Sequence, residues 1–173
     1  LLRVYTVSSR GDRGPDTSLE ALYTAAYPRL VLALTAMTGS RADAEELVQE
    51  AFASLVPRWG RVSRYDQPEA WVRQVAVRSL ISRRRRLKVA LGARGALTRE
   101  LTSPEPSADR LDVDAAMQHL PVDHRVVLVL HHGLGLPLAD VAREVGIPIG
   151  TVKSRLSRAR AAFAAAYGEE ALR

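Results

Sequence analysis

The stretch Pro137–Phe163 constrains the fold more than any other part of the chain. Pro137 suits the first turn of a helix, where its missing N–H is no loss. Leu138, Val141, Ala142 and Val145 then share one helical face. Gly146 follows at the position where a left-handed C-cap needs glycine, Ile147 anchors a turn, and Pro148 stops the first helix from continuing. A second helix is expected from near Ile149, with Val152, Leu156, Ala159 and Phe163 as a single narrow apolar stripe. A short helix, a glycine turn and a second helix make a helix-turn-helix.

The second helix has the chemistry of a reader. Opposite its stripe lie Thr151, Lys153, Ser154, Ser157 and Arg158, with Arg155 and Arg160 on the flanks. No acidic residue occurs from Gly146 to Gly168. A helix of this kind fits the DNA major groove, where Arg and Lys pair with guanine edges and Ser or Thr with base edges or phosphate. Two amphipathic helices with a solvated basic face would give part of the same pattern. The turn, the narrow stripe and the absence of acids together favour DNA.

Upstream, the pattern is also helical. Ser18 is placed to cap a helix whose stripe Tyr27, Leu30, Leu34 and Met37 continues past Pro28 and ends at Gly39. Ser40, with Asp43 three residues on, opens another helix in the manner of a capping box. Ala44, Leu47, Val48, Ala51, Phe52 and Leu55 form its buried face. Asp43, Glu46, Gln49 and Glu50 form the opposite one. Pro57 and Gly60 close it, Arg61–Gln67 is expected to be a loop, and Pro68 starts a helix to about Lys88. Val126–Leu130 is strand-like in composition but lies between helical stretches, and helix is expected there. No stretch alternates as a strand would.

Gly92 to about Asp112 carries Gly, Pro and Ser at a density that favours an extended tether. The expected architecture is therefore all-α: two small helical domains, 17–90 and 112–168, joined by a flexible linker at 91–111. Residues 1–16 read as a mobile tail. The first residue is Leu1, so the true start is expected to be trimmed or upstream, and no further C-terminal domain is expected.

The basic balance is concentrated in one place. The net charge is +6 and the pI about 10.3. Between Trp71 and Arg99 stand Arg73, Arg78, Arg83, Arg84, Arg85, Arg86, Lys88, Arg94 and Arg99, with no acid among them. Trp71, Gln74, Arg78 and Arg85 share one helical face, and Val72, Ala76 and Leu80 the other. Such a surface binds phosphates in a salt-sensitive way, and neighbouring aromatics, Trp59, Tyr65 and Trp71, suit unstacked bases. For Trp59 core packing is the better reading. For Arg83–Arg86 a solvated helix end complementing the dipole is the alternative, and phosphate binding is the favoured reading.

Several classes are excluded or disfavoured. Without cysteine there is neither disulfide nor thiolate zinc site, which fits a reducing cytosol. Leu30–Met37, the longest apolar run, is too short to cross a bilayer, and no signal peptide is evident. His119, His124, His131 and His132 form no metal-binding motif, and no glycine-rich phosphate loop occurs. Neither enzymatic activity, cofactor, metal nor membrane insertion is expected.

In order, the chain carries Asp-Ala-Glu-Glu-Leu-Val-Gln-Glu-Ala-Phe (43–52), Pro-Glu-Ala-Trp-Val-Arg-Gln-Val-Ala (68–76), an Arg cluster, Leu-Pro (120–121) and Gly-Ile-Pro-Ile-Gly-Thr-Val-Lys-Ser-Arg-Leu-Ser-Arg-Ala-Arg (146–160). Over about 19–167 this resembles the extracytoplasmic-function (ECF) sigma factors of bacterial RNA polymerase, and among them the actinobacterial SigE-family type. It departs from them at Leu136-Pro137, where a hydroxyl or acidic cap is commoner, and in the low polarity of His131–Leu136.

The resemblance implies a cytoplasmic, promoter-specific transcription initiation factor. Asp43, Glu46, Gln49 and Glu50 would meet the clamp helices of the polymerase core. Arg64, Tyr65, Trp71, Gln74, Arg78 and Arg85 would engage the minus-ten element. Thr151, Lys153, Ser154, Arg155, Ser157 and Arg158 would read the minus-thirty-five element, with the domain docked on the polymerase flap. An anti-sigma factor is a further partner that such proteins often have. The alternative is a helix-turn-helix regulator that acts without polymerase core. It has no need of the acidic helix or the basic helix upstream.

Overall fold

The computed structural model describes residues 18–92 and 108–170. The tail expected at 1–16 and the greater part of the expected linker lie outside the described residues. All regular structure among the described residues is helical.

Local signals set the first two helices. The Ser18 Oγ accepts from the Ala21 N–H at 3.1 Å and caps α1, Leu19–Thr38. α1 passes through Pro28 and ends at Gly39, whose φ of 82° is left-handed. Ser40 caps α2, Arg41–Leu55, by accepting from the Asp43 N–H at 3.2 Å. All six expected core positions of α2 are buried.

After α2 the chain stays helical for longer than expected. A 3-10 turn, Val56–Arg58, leads into the single turn α3, Trp59–Val62. Pro57 sits at the start of the 3-10 turn, where the lack of an N–H costs no hydrogen bond. The expected loop at Arg61–Gln67 therefore begins inside α3. α4 spans Pro68–Gly92, past the expected end at Lys88, because Val89, Ala90 and Leu91 contain no breaker.

The second half begins with α5, Ala108–Gln118, and so with residues expected to be tether. α6, Val122–Leu128, continues into a π-turn, Val129–Gly133, so Val126–Leu130 is helical as expected. α7, Leu138–Val145, ends at Gly146 with φ 73°. α8 is Ile149–Glu170.

Helices α1, α2 and α4 pack together, and α5, α6 and α7 pack on α8. The two groups are not separate. α6 lies against α1, α7 lies against α4, and one apolar cluster runs from Leu34, Met37 and Val72 to Val126, Val141 and Val152. Arg125, only 5% exposed, crosses this contact. It donates to the Thr38 carbonyl at 3.3 Å and to Gln118 at 2.5 Å. Burial first, and then Arg84, push its pKa down to about 10, which leaves it charged at neutral pH.

Candidate nucleic-acid interface

The helix-turn-helix is built as its sequence implies. Gly146 and Ile147 both donate to the Ala142 carbonyl, at 2.9 and 3.2 Å, which closes α7. Thr151 and Val152 donate to the Pro148 carbonyl and start α8. Val152, Leu156 and Ala159 are buried, which fixes the roll of α8. Lys153, Ser154, Ser157 and Arg158 are exposed as a result, while Thr151 and Arg155 are half-buried. The Ser154 hydroxyl donates to the Thr151 carbonyl at 3.0 Å, so its oxygen can still accept from outside. His124 of α6 lies near this face. Burial first, then the charges of Arg158 and Arg155, hold its pKa below the ordinary value. Its place beside Arg155 and Arg158 was not evident from the sequence.

The α4 surface is brought together but not left open. Tyr65, Trp71 and Gln74 line one side of a groove of about 320 Å³, and Asp140, Arg143 and Glu144 of α7 line the other. Arg78 donates to the Arg143 carbonyl at 3.4 Å. Arg64 and Arg85, the other two minus-ten candidates, are exposed. Trp59 is partly buried against the core, as core packing requires.

The main polar bond across that groove involves two residues outside the expected site. Arg73 Nε donates to both carboxylate oxygens of Glu144, at 3.0 and 3.3 Å, and Nη2 to one of them at 3.2 Å. Glu144 is 4% exposed. Burial raises its pKa, and the hydrogen bonds and charge of Arg73 oppose that rise. A sequence signal did exist, since Glu144 follows the buried Val141 at helical spacing on the inward face of α7.

The acidic face of α2 is only partly free. Glu46 and Glu50 are exposed, but both accept from Arg83 of α4, at 2.8 and 2.5 Å. The Gln49 amide donates to the Tyr27 hydroxyl at 3.4 Å, and Asp43 is half-buried at the capped start. The basic run is also drawn upon elsewhere, because Arg84 and Lys88 reach Asp123 of α6 at 3.7 and 3.5 Å. It is thus a divided surface, part ion pair and part exposed, rather than a uniform phosphate-binding face. Among the described residues, no cluster of three His, Asp or Glu side chains is placed to hold a metal. No helix among them is long and apolar enough to cross a membrane.

Comparison with known proteins agrees with this arrangement. The family sigma-70 region 2 matches residues 22–89, and the family sigma-70 region 4 matches residues 110–163. The ECF RNA polymerase sigma factor SigM of Mycobacterium tuberculosis is 34% identical over 134 residues, which are 73% of this chain and 65% of that protein. This chain therefore spans a little under two thirds of that relative's length. The ECF RNA polymerase sigma factor SigC of Mycobacterium tuberculosis is 30% identical over 164 residues, covering 88% of this chain and 85% of that protein. The sigma factor RpoE, solved in complex with the anti-sigma factor NepR from Bartonella quintana, shares the fold at a TM-score of 0.70 and 22% identity, over 85% of this chain and 94% of that one. With both sigma-70 regions present in order on an all-helical frame, the chain belongs to the ECF sigma factors of RNA polymerase.

Proposed function

We propose that the chain binds RNA polymerase core and directs it to promoters by engaging two DNA elements. The unit that ends with α4 serves core and the minus-ten element, and the unit that begins with α5 serves the minus-thirty-five element, with the residues between them as the tether. The observation that carries this reading is the α8 face. Lys153, Ser154, Ser157 and Arg158 are exposed together on a helix fixed by Val152, Leu156 and Ala159, in a chain that also presents Glu46 and Glu50 on α2.

The clamp helices are the expected partner of Asp43, Glu46, Gln49 and Glu50, and the flap that of the unit that begins with α5. Arg64, Tyr65, Trp71, Gln74, Arg78 and Arg85 would meet the minus-ten strand. Thr151, Lys153, Ser154, Arg155, Ser157 and Arg158 would lie in the minus-thirty-five major groove. The chain supplies recognition, not chemistry, and works in the cytoplasm with the polymerase. The neighbour of like fold is held by an anti-sigma factor, and a similar protein would control this chain.

Transcription in vitro with this chain, polymerase core and genomic DNA, followed by start-site mapping, tests the proposal. Discrete starts that depend on the chain are expected. Failure to capture core in a pull-down would overturn it and leave a regulator that acts on DNA alone.

A further inference from the structure

Arg73 and Glu144 stand 71 residues apart in sequence and meet in the groove between α4 and α7. Their side chains are 17% and 5% exposed. Burying an ion pair removes two charges from water, a cost that its mutual attraction often only balances. Packing alone would favour apolar residues here. The pair lines the same groove as Trp71 and Gln74, aromatic and polar side chains of the kind that suit an unstacked strand.

The guanidinium fork matches a carboxylate and a phosphate equally well, since each offers two oxygens at similar spacing. Glu144 presents both of its oxygens to Arg73, and Asp140 lines the same groove. We propose that Arg73 is a backbone-phosphate anchor for the single strand bound by the α4 face, and that Glu144 occupies it as an internal phosphate mimic in the free chain. The inference rests on the sigma-factor reading of that face and adds to it a residue and a form of self-occlusion. The free chain covers its single-strand site with α7. The α8 face stays open, with Lys153, Ser154, Ser157 and Arg158 exposed. Strand binding and separation of α7 from α4 are then one event.

The test uses the full chain and two fluorescein-labelled probes read by anisotropy: a mixed-sequence single-stranded DNA of about 12 nucleotides and a duplex. Glu144→Gln removes the competing charge. It is expected to tighten single-strand binding by about tenfold and to leave duplex binding unchanged. Arg73→Gln breaks the same ion pair, but is expected to give no gain and to abolish the gain in the double variant. Equal gains from the two single variants would reduce Arg73 to a structural latch and overturn the anchor. No gain from Glu144→Gln would overturn the occlusion.

Should the Glu144 variant fail to fold, the native pair can be followed directly. The chain has no cysteine, so dyes can be placed at Ala53→Cys and Ala161→Cys, both exposed positions. Energy transfer is expected to change when the single strand is added, and no change would overturn the proposal. Capture of polymerase core by the native chain, measured alongside, reports separately on the sigma-factor reading.

Discussion

Arg83, in the middle of the basic run, donates to Glu46 on the acidic helix at 2.8 Å. That hydrogen bond first, and then the charge of Arg83, hold the Glu46 carboxyl below its ordinary pKa. Glu50 accepts from the same guanidinium. The two carboxylates proposed to meet polymerase core are therefore already engaged from within the chain, and a cationic partner would have to compete for them. The pairs are exposed, so the competition is modest and screened by salt. Arg83→Gln is expected to tighten capture of polymerase core by about two- to fivefold, measured by titration at fixed ionic strength. Weaker capture would mean that Arg83 itself touches the polymerase. Reversing Glu46 and Glu50 to Lys is expected to abolish capture while duplex binding through α8 persists.

Arg158 is exposed on α8 while Leu156 and Ala159 beside it are buried. The packing that holds the helix and the side chains that face outward are thus separate sets. Arg158→Ala is expected to weaken duplex promoter binding by about 1–3 kcal/mol with no change in melting temperature. A mobility-shift titration with specific and scrambled duplexes checks this. Equal affinity for the specific site would remove Arg158 from the reader set.

Gly39 and Gly146 both have positive φ, yet their surroundings differ. Nothing lies within 4 Å of a Cβ added at Gly146. At Gly39 that atom would fall 2.8 Å from Arg125 Nη1 and would also collide with the Gln118 amide. Gly146→Ala should therefore cost only the left-handed strain, about 1–2 kcal/mol. Gly39→Ala carries the same strain plus the overlap, about 1 kcal/mol or more in addition, and it loosens the seat of Arg125 on α1. Urea denaturation of both variants measures the difference. Equal costs would show that Gln118 and Arg125 move aside freely.

These contacts mark the boundary of what the sequence made legible. Caps at Ser18 and Ser40, the stops at Gly39 and Gly146 and the buried face of α2 are local. Each depends on residues within a turn or two, so spacing alone exposes them. The Arg73–Glu144 and Arg125–Thr38 bonds join residues 71 and 87 positions apart. Periodicity shows that a residue lies on a polar face, but not whether another helix covers that face. Arg125 did carry a signal, as the cation that directly precedes the apolar run Val126–Leu130. The extension of α4 beyond Lys88 follows a different rule, since a helix without a breaker ends where packing or tether dictates. For the exposed basic face of α8 the types and spacing were legible, whereas the proximity of His124 depends on how α6 crosses α8.

His124 and His132 give the second half of the chain a pH dependence of definite sign. For His124 burial is the first cause of its lowered pKa, followed by Arg158 and Arg155, with Asp123 opposing. For His132 burial leads again, followed by His131 and Arg160. A histidine whose folded pKa lies below its ordinary 6.5 is protonated more readily in the unfolded chain. Its contribution to stability is complete above the unfolded value and is lost as pH falls from there through the folded one. The urea midpoint is expected to be flat above neutrality and to fall as the pH drops below the ordinary histidine value of 6.5. Replacing both histidines with Gln should flatten that slope, and an unchanged slope would assign it to other groups. DNA binding should act in the opposite direction at His124. Phosphates placed on Arg155 and Arg158 cancel the repulsion that disfavours the imidazolium, so duplex binding takes up a fraction of a proton and strengthens as pH falls through this window. Calorimetry in two buffers of different ionisation enthalpy measures the uptake. His124→Gln is expected to abolish it and to leave the contribution of Arg158 in place.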